Sequence, residues 1–222
     1  MAEEAILLED DCLPHPDFFV FCETLLERFR DNDRVMAITG NNFQEGIIRG
    51  DASYYFSRIA HTWGWATWRR AWRRYDVHMT SFQSFVDRKK IDAILPDPEM
   101  REHYLDLLRS TFANQIDNWG YRWQFAVWDH DGLIAAPNVN LVSNIGFGPG
   151  ATHTPTPHPL FADRATAALG AIRHPAEVRA DDEADLSEFR AEQTWYRRPL
   201  ARRAWDRLAR NMGRLARGIL PR

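Results

Sequence analysis

Lysine is almost missing from this chain: Lys89 and Lys90 are the only two, so 26 of its 28 basic residues are arginine, a bias that coding composition alone can produce. Cysteine is equally scarce. Cys12 and Cys22 do not make the disulfide framework of a small secreted domain, and they suit a reducing compartment. No uninterrupted run of about 18 to 20 apolar residues occurs, and the opening residues MAEEAILLEDD lack a basic segment followed by a long apolar one. A cytoplasmic protein, soluble or peripheral at the inner membrane, is therefore expected. There is no internal repeat and no low-complexity block. The one glycine-rich stretch, Gly146 to Gly150, does not stand in the strand-loop-helix context of a phosphate loop. A net charge of -3 and a pI near 6.2 give no global reason to expect nucleic acid as a partner.

What is present is a core-forming chain. Its 222 residues are 45% hydrophobic and include nine tryptophans, ring surface that must be packed or used in recognition. Charge is unevenly placed. Residues 190–222 carry a balance of +8, leaving -11 on everything before them. The patterning predicts a mixed α/β order. Ala5 to Leu8 suits a strand buried on both faces, and Phe18, Phe21, Leu25 and Phe29 fall on one helical face with Asp17 as N-cap. Arg34 to Gly40 and Tyr54 to Phe56 read as strands with a polar loop between them. Trp65, Trp68 and Trp72, at i, i+3 and i+7, predict a helix with one aromatic face. Helices are expected over Phe82 to Lys90 and Glu99 to Gln115. A helix or strand from Tyr121, an Asp-Gly turn and another strand follow. Leu200 to Leu220 forms an Arg-rich amphipathic pattern suited to packing on a partner or on the acidic body, or to weak contact with an anionic membrane surface.

The most informative stretch is LEDDCLPHPDFF, where an apolar run ends on Glu9, Asp10 and Asp11. At the C-terminal end of a strand, charge emerges where ligands bind in open α/β folds. In an extended segment Glu9 and Asp11 point to one side and Asp10 to the other. Two carboxylates on one side can hold a hard divalent ion against phosphate oxygens. A solvated acidic turn before a helix is the alternative.

LEDDCLPHPDFFVFCETLL resembles the metal-binding acidic motif of nucleotide-sugar transferases with the GT-A fold. RVMAITGNNFQ, HTWGWATWRRAW, QIDNWGYRWQFAVW and PNVNLVSNIGFGPGATHT follow in the order of bacterial family 2-like glycosyltransferases. That group is also called nucleotide-diphospho-sugar transferases and includes HlpA-like hemolytic proteins. The likeness spans about residues 6–154. It implies an α/β, partial GT-A-like mixed sheet flanked by helices, with a basic C-terminal helical tail. Residues 1–159 would be the metal and acceptor portion and residues 160–222 a helical extension. The implied reaction moves a sugar from a nucleotide diphosphate sugar to the hydroxyl of a glycan or lipid-linked acceptor, with Mn²⁺ or Mg²⁺. In the resembled fold the nucleotide-recognising half precedes the acidic motif, whereas eight residues precede it here. The resemblance therefore implies a fragment, the product of a split gene whose N-terminal half another chain supplies, or a misplaced start. A noncatalytic remnant that binds carbohydrate or a partner chain is the alternative.

By that likeness Asp11 is the direct metal ligand, Glu9 and Asp10 position the ion, its waters or the sugar, and His153 closes over the diphosphate, completes the metal sphere or is a plain loop histidine. Where relatives carry Trp-Asp-Tyr, this chain has Trp119, Gly120 and Tyr121, so the expected acid is absent. Asp117, three residues earlier, is the candidate catalytic base, with an N-cap or solvated acid as its other reading. Trp63, Trp65 and Trp119 are candidate acceptor platforms, whereas Trp68 and Trp72 are expected to pack in the core. Asn41, Asn42 and Gln44 can orient sugar hydroxyls or simply line a solvated turn.

Overall fold

The computed structural model describes residues 2–147 and 160–197. His153 and the amphipathic segment over residues 200–220 lie outside the described residues. In chain order the elements are β1 (Glu4–Leu7), β2 (Cys12–Pro14), α1 (Pro16–Arg28), β3 (Val35–Thr39), β4 (Tyr54–Ser57), β5 (Trp65–Trp68) and α2 (Arg69–Trp72). Then come α3 (Phe82–Asp87), α4 (Lys90–Ile94), α5 (Pro98–Phe112), α6 (Trp119–Asp129), β6 (Leu133–Pro137), β7 (Val142–Asn144) and α7 (Asp182–Arg197).

Five strands form a mixed sheet in the order β1-β5-β3-β6-β4, in which β3 and β6 run parallel and the other neighbours antiparallel. β3 is buried along its whole length because helices cover both faces of the sheet. On one side α1 brings Phe18, Phe21 and Leu25 against Ile38, Tyr54, Phe56 and Trp68. On the other side Phe85, Met100, Leu108, Trp123 and Trp128 from the later helices meet Met36, Trp65 and Ile134.

The region of Trp65 departs from the helical expectation. Residues 65–68 pair with β1 and β3 instead, and helix begins only at Arg69. Helical spacing would have put Trp65 and Trp68 on one face; in a strand an offset of three puts them on opposite faces. Trp65 accordingly joins the α6 side of the sheet. Trp68 joins the α1 side, where its Nε1 donates to the Leu26 carbonyl at 3.1 Å and the Arg70 guanidinium lies 4.3 Å from its ring centroid. Two further expectations need correction. β1 is a half-exposed edge strand, not one buried on both faces. The N-cap of α1 is His15, whose Nδ1 accepts from the Asp17 N–H at 3.1 Å with Pro16 in the first turn. Asp17 instead accepts from the Leu169 N–H at 2.8 Å, tying a distant strap to the helix start.

Residues 160–197 belong to the same packed body. Ser53 N–H donates to the Arg173 carbonyl at 2.8 Å, and Asp181 N–H to that of Phe56 at 2.8 Å, so the strap covers the outer edge of β4. α7 then sets Phe189 into the main core. Its inward face also buries charge. Asp185 accepts from Ser57 Oγ at 2.5 Å and from the Arg58 N–H at 2.9 Å, and Glu188 Oε1 stands 2.7 Å from His61 Nε2.

Candidate functional site

After β1 the chain turns sharply, with Cys12 N–H bonded to the Glu9 carbonyl at 3.1 Å. It then enters the two-stranded ribbon of β2 and β7, which the Ile145 N–H extends by bonding the Asp11 carbonyl at 2.9 Å. The turn, not strand alternation, brings Glu9 and Asp11 together. Ligand atoms of Glu9, Asp11 and Cys12 all lie within 4.8 Å of one another, the one such group of three among the described residues. Asp10 is exposed and outside it.

The donor set fits a hard cation through its two carboxylates. The Cys12 thiol adds little, since burial pushes its pKa up to about 11, Asp11 and Glu9 add to the rise, and the bond to the Glu9 backbone opposes it. Position 146 is shaped around this group. A Cβ on Gly146 would sit 1.9 Å from Asp11 Oδ2 and 2.7 Å from its Cγ. Gly146→Ala is therefore expected to displace the Asp11 carboxylate and to weaken Mn²⁺ binding at least about tenfold. Thermal unfolding should barely move, because a partly exposed side chain gives way. Unchanged Mn²⁺ affinity by calorimetry would show that Asp11 does not hold the ion.

Beside this turn opens a cleft of about 310 Å³, with Glu9 at its edge. Its walls are aromatic. Trp72 stacks on Tyr75 with centroids 4.7 Å apart and planes at 5°, and Trp119 stacks on Trp65 at 5.8 Å and 29°. Leu7, Leu8 and Thr62 complete the lining. Trp65 reaches the cleft although only 3% of it is exposed, whereas Trp72, expected in the core, is 41% exposed there. Four of these wall residues, Leu7, Leu8, Tyr75 and Thr62, carry no sequence signal for such a site. They meet because β1 lies beside β5 and α2 follows directly.

Asp117 is not among the residues that line the cleft. Tyr75 has a raised pKa, chiefly from burial; the Arg122 cation opposes this and the Asp117 charge adds to it. The Asp117 carboxylate is almost fully exposed and is held at 3.2 Å by Arg122, which also donates to Asn114 Oδ1 at 3.2 Å. Gly120 lies two residues after the N-cap Asn118, and a Cβ there would meet Asn118 Oδ1 at 3.0 Å and Thr62 Oγ1 at 3.9 Å; it is not among the cleft-lining residues.

The remaining candidates stand elsewhere. Trp63 packs edge-on against Phe43, Phe147 and Phe161, away from the cleft lining. Asn41 donates to the Val142 carbonyl at 3.3 Å, Asn42 to that of Pro137 at 2.7 Å and Gln44 to that of Ala184 at 3.0 Å. At 2%, 4% and 2% exposed, these three amides brace the loop after β3 against β6, β7 and α7, and they do not face a sugar. Their polarity is explained by the backbone groups they satisfy. Compared with known proteins, the chain matches no family model and no curated protein.

Proposed function

We propose that the chain takes part in metal-dependent glycosyl transfer, holding the diphosphate of a nucleotide sugar near Glu9 and Asp11 and an acceptor in the aromatic cleft. One observation carries the reading: Glu9 belongs both to the acidic group and to the cleft, so a cation subsite and an apolar-walled subsite share a residue. A divalent ion at Glu9 and Asp11 would supply positive charge where the departing diphosphate gains negative charge, favouring the transition state over the ground state. The ring faces of Trp72 and Trp119 suit acceptor carbons. Asp117, paired with Arg122 and exposed outside the cleft lining, is the carboxylate we assign as candidate base for the acceptor proton.

Titration calorimetry with Mn²⁺ alone, and with UDP or GDP in Mn²⁺ and without it, tests the reading. Nucleotide binding is expected only with Mn²⁺, and Asp11→Asn should weaken it at least about tenfold. Metal-independent binding, or binding indifferent to Asp11, would reject the metal role. A second reading is favoured by Gly120, which stands where the resembled family carries an acid. In that case the protein is a noncatalytic carbohydrate-binding or partner-binding chain. Binding without sugar transfer or donor hydrolysis would support it.

A further inference from the structure

We propose that the aromatic cleft takes the aliphatic part of an amphipathic acceptor, so that the acceptor is an alkyl-linked molecule and not a plain glycan. The inference rests on the transfer reading for the word acceptor, but the cleft's chemistry carries it. Leu7, Leu8, Trp72 and Trp119 are each about 40% exposed around one concavity. Isolated apolar side chains on a surface mean little; several rimming one cleft mark a binding surface. Its volume of about 310 Å³ is at the small end of ligand pockets.

The polar inventory argues against a sugar filling this space. A sugar ring presents apolar C–H groups on its faces and hydroxyls around its rim, and each buried hydroxyl needs a partner. Among the lining side chains Glu9 and Thr62 supply oxygens, Tyr75 a phenol, and Trp65, Trp72 and Trp119 indole N–H donors, but Leu7 and Leu8 supply nothing polar and most of the exposed lining is apolar. An alkyl chain asks for no hydrogen bonds and gains from every ring it covers. Glu9, the one charged residue of the lining, also belongs to the acidic group with Asp11, so a fitting occupant is polar beside Glu9 and aliphatic along the rest.

The test is binding of methyl, hexyl, heptyl and octyl β-glucosides, kept below micelle-forming concentrations, to the full chain without metal or donor. Tryptophan fluorescence and calorimetry give the affinities. Each added methylene is expected to tighten binding by about two- to fourfold until the cleft is full, with methyl glucoside binding weakest. Trp119→Ala and, separately, Trp72→Ala should flatten that dependence while circular dichroism stays unchanged. Equal affinity across the series, tighter binding of an unsubstituted oligosaccharide, or a slope that survives both substitutions would overturn the proposal. So would a concentration-dependent dimer that blocks the glucosides, since a second copy would then fill the cleft. If the Mn²⁺ and UDP titrations fail while the chain-length dependence holds, the transfer reading falls and the aliphatic site stands.

Discussion

Raising the pH from about 5 to about 8 is expected to destabilise the protein, and α7 should be the element that loosens. Asp185, Glu188 and Glu192 all lie on its inward side. They face Ser57 at the end of β4 and Arg58 and His61 beyond it, with Tyr55, Tyr104, Tyr121, Gln44 and Arg49 around them. Burial pushes Asp185 up to about 7, against the bonds from Ser57 and the Arg58 N–H, and Glu188 adds to the rise. Burial likewise lifts Glu192 to about 7, with Glu188 adding and His61 opposing. Burial alone would lower His61, but Glu188 at 2.7 Å outweighs it and leaves the imidazole raised.

All three shifts have the same sign. Between the ordinary carboxylate range and about pH 7 the folded chain keeps protons that the unfolded chain has released. The associated stability is present at low pH and is lost as pH rises through about 7. For Asp185 the part lost between pH 5 and pH 8 is on the order of 3 kcal/mol. Asp185→Asn should remove much of it, because its amide oxygen can still accept from the Arg58 N–H and its NH₂ can donate to Ser57 Oγ. Thermal unfolding followed at several pH values, with hydrogen exchange of α7 amides, reads both effects. A midpoint that rises from pH 5 to pH 8, or the same slope in Asp185→Asn, would rule out this account of α7.

Gly64→Ala is expected to destabilise the protein by roughly 2 to 4 kcal/mol. Gly64 has φ +76°, and a Cβ there would meet Val142 Cγ2 at 2.7 Å, Val142 Cγ1 at 3.0 Å and Leu8 Cδ2 at 3.2 Å. Its carbonyl accepts from the Gly40 N–H at 2.8 Å, so backbone shift would disturb the joint between β3 and β5. Gly46 and Gly50 provide the comparison. Both have positive φ, +90° and +66°, yet nothing lies within 4 Å of an added Cβ. Their alanine variants should lose only about 1 kcal/mol, the conformational part alone. Denaturant unfolding of the three variants separates crowding from backbone strain; equal losses at all three positions would mean that contact with Val142 contributes nothing.

Local chemistry was sufficient for much of this chain. The apolar spacing from Phe18 to Phe29 produces α1 because those rings fall on one side of a helix whatever covers them. The run Arg34 to Gly40 makes the central strand, and the acids at 9–11 stand at the end of β1 as their sequence position requires. Other features depend on distant partners. Helical periodicity around Trp65 loses to the pairing that β1 and β3 provide, because strand hydrogen bonds to two neighbours and burial of Trp65 and Trp68 on opposite faces outweigh a weak local preference. Asn41, Asn42 and Gln44 read as site residues only because their acceptors, Val142, Pro137 and Ala184, lie about a hundred residues or more away. Sequence alone put Glu9 and Asp11 just beyond a strand, and the turn after β1 brought their carboxylates together. Only tertiary structure decided that Trp72, Tyr75 and Trp119 would wall a cleft beside them, since that wall exists where β1, α2 and α6 meet across the sheet and no local spacing encodes the meeting.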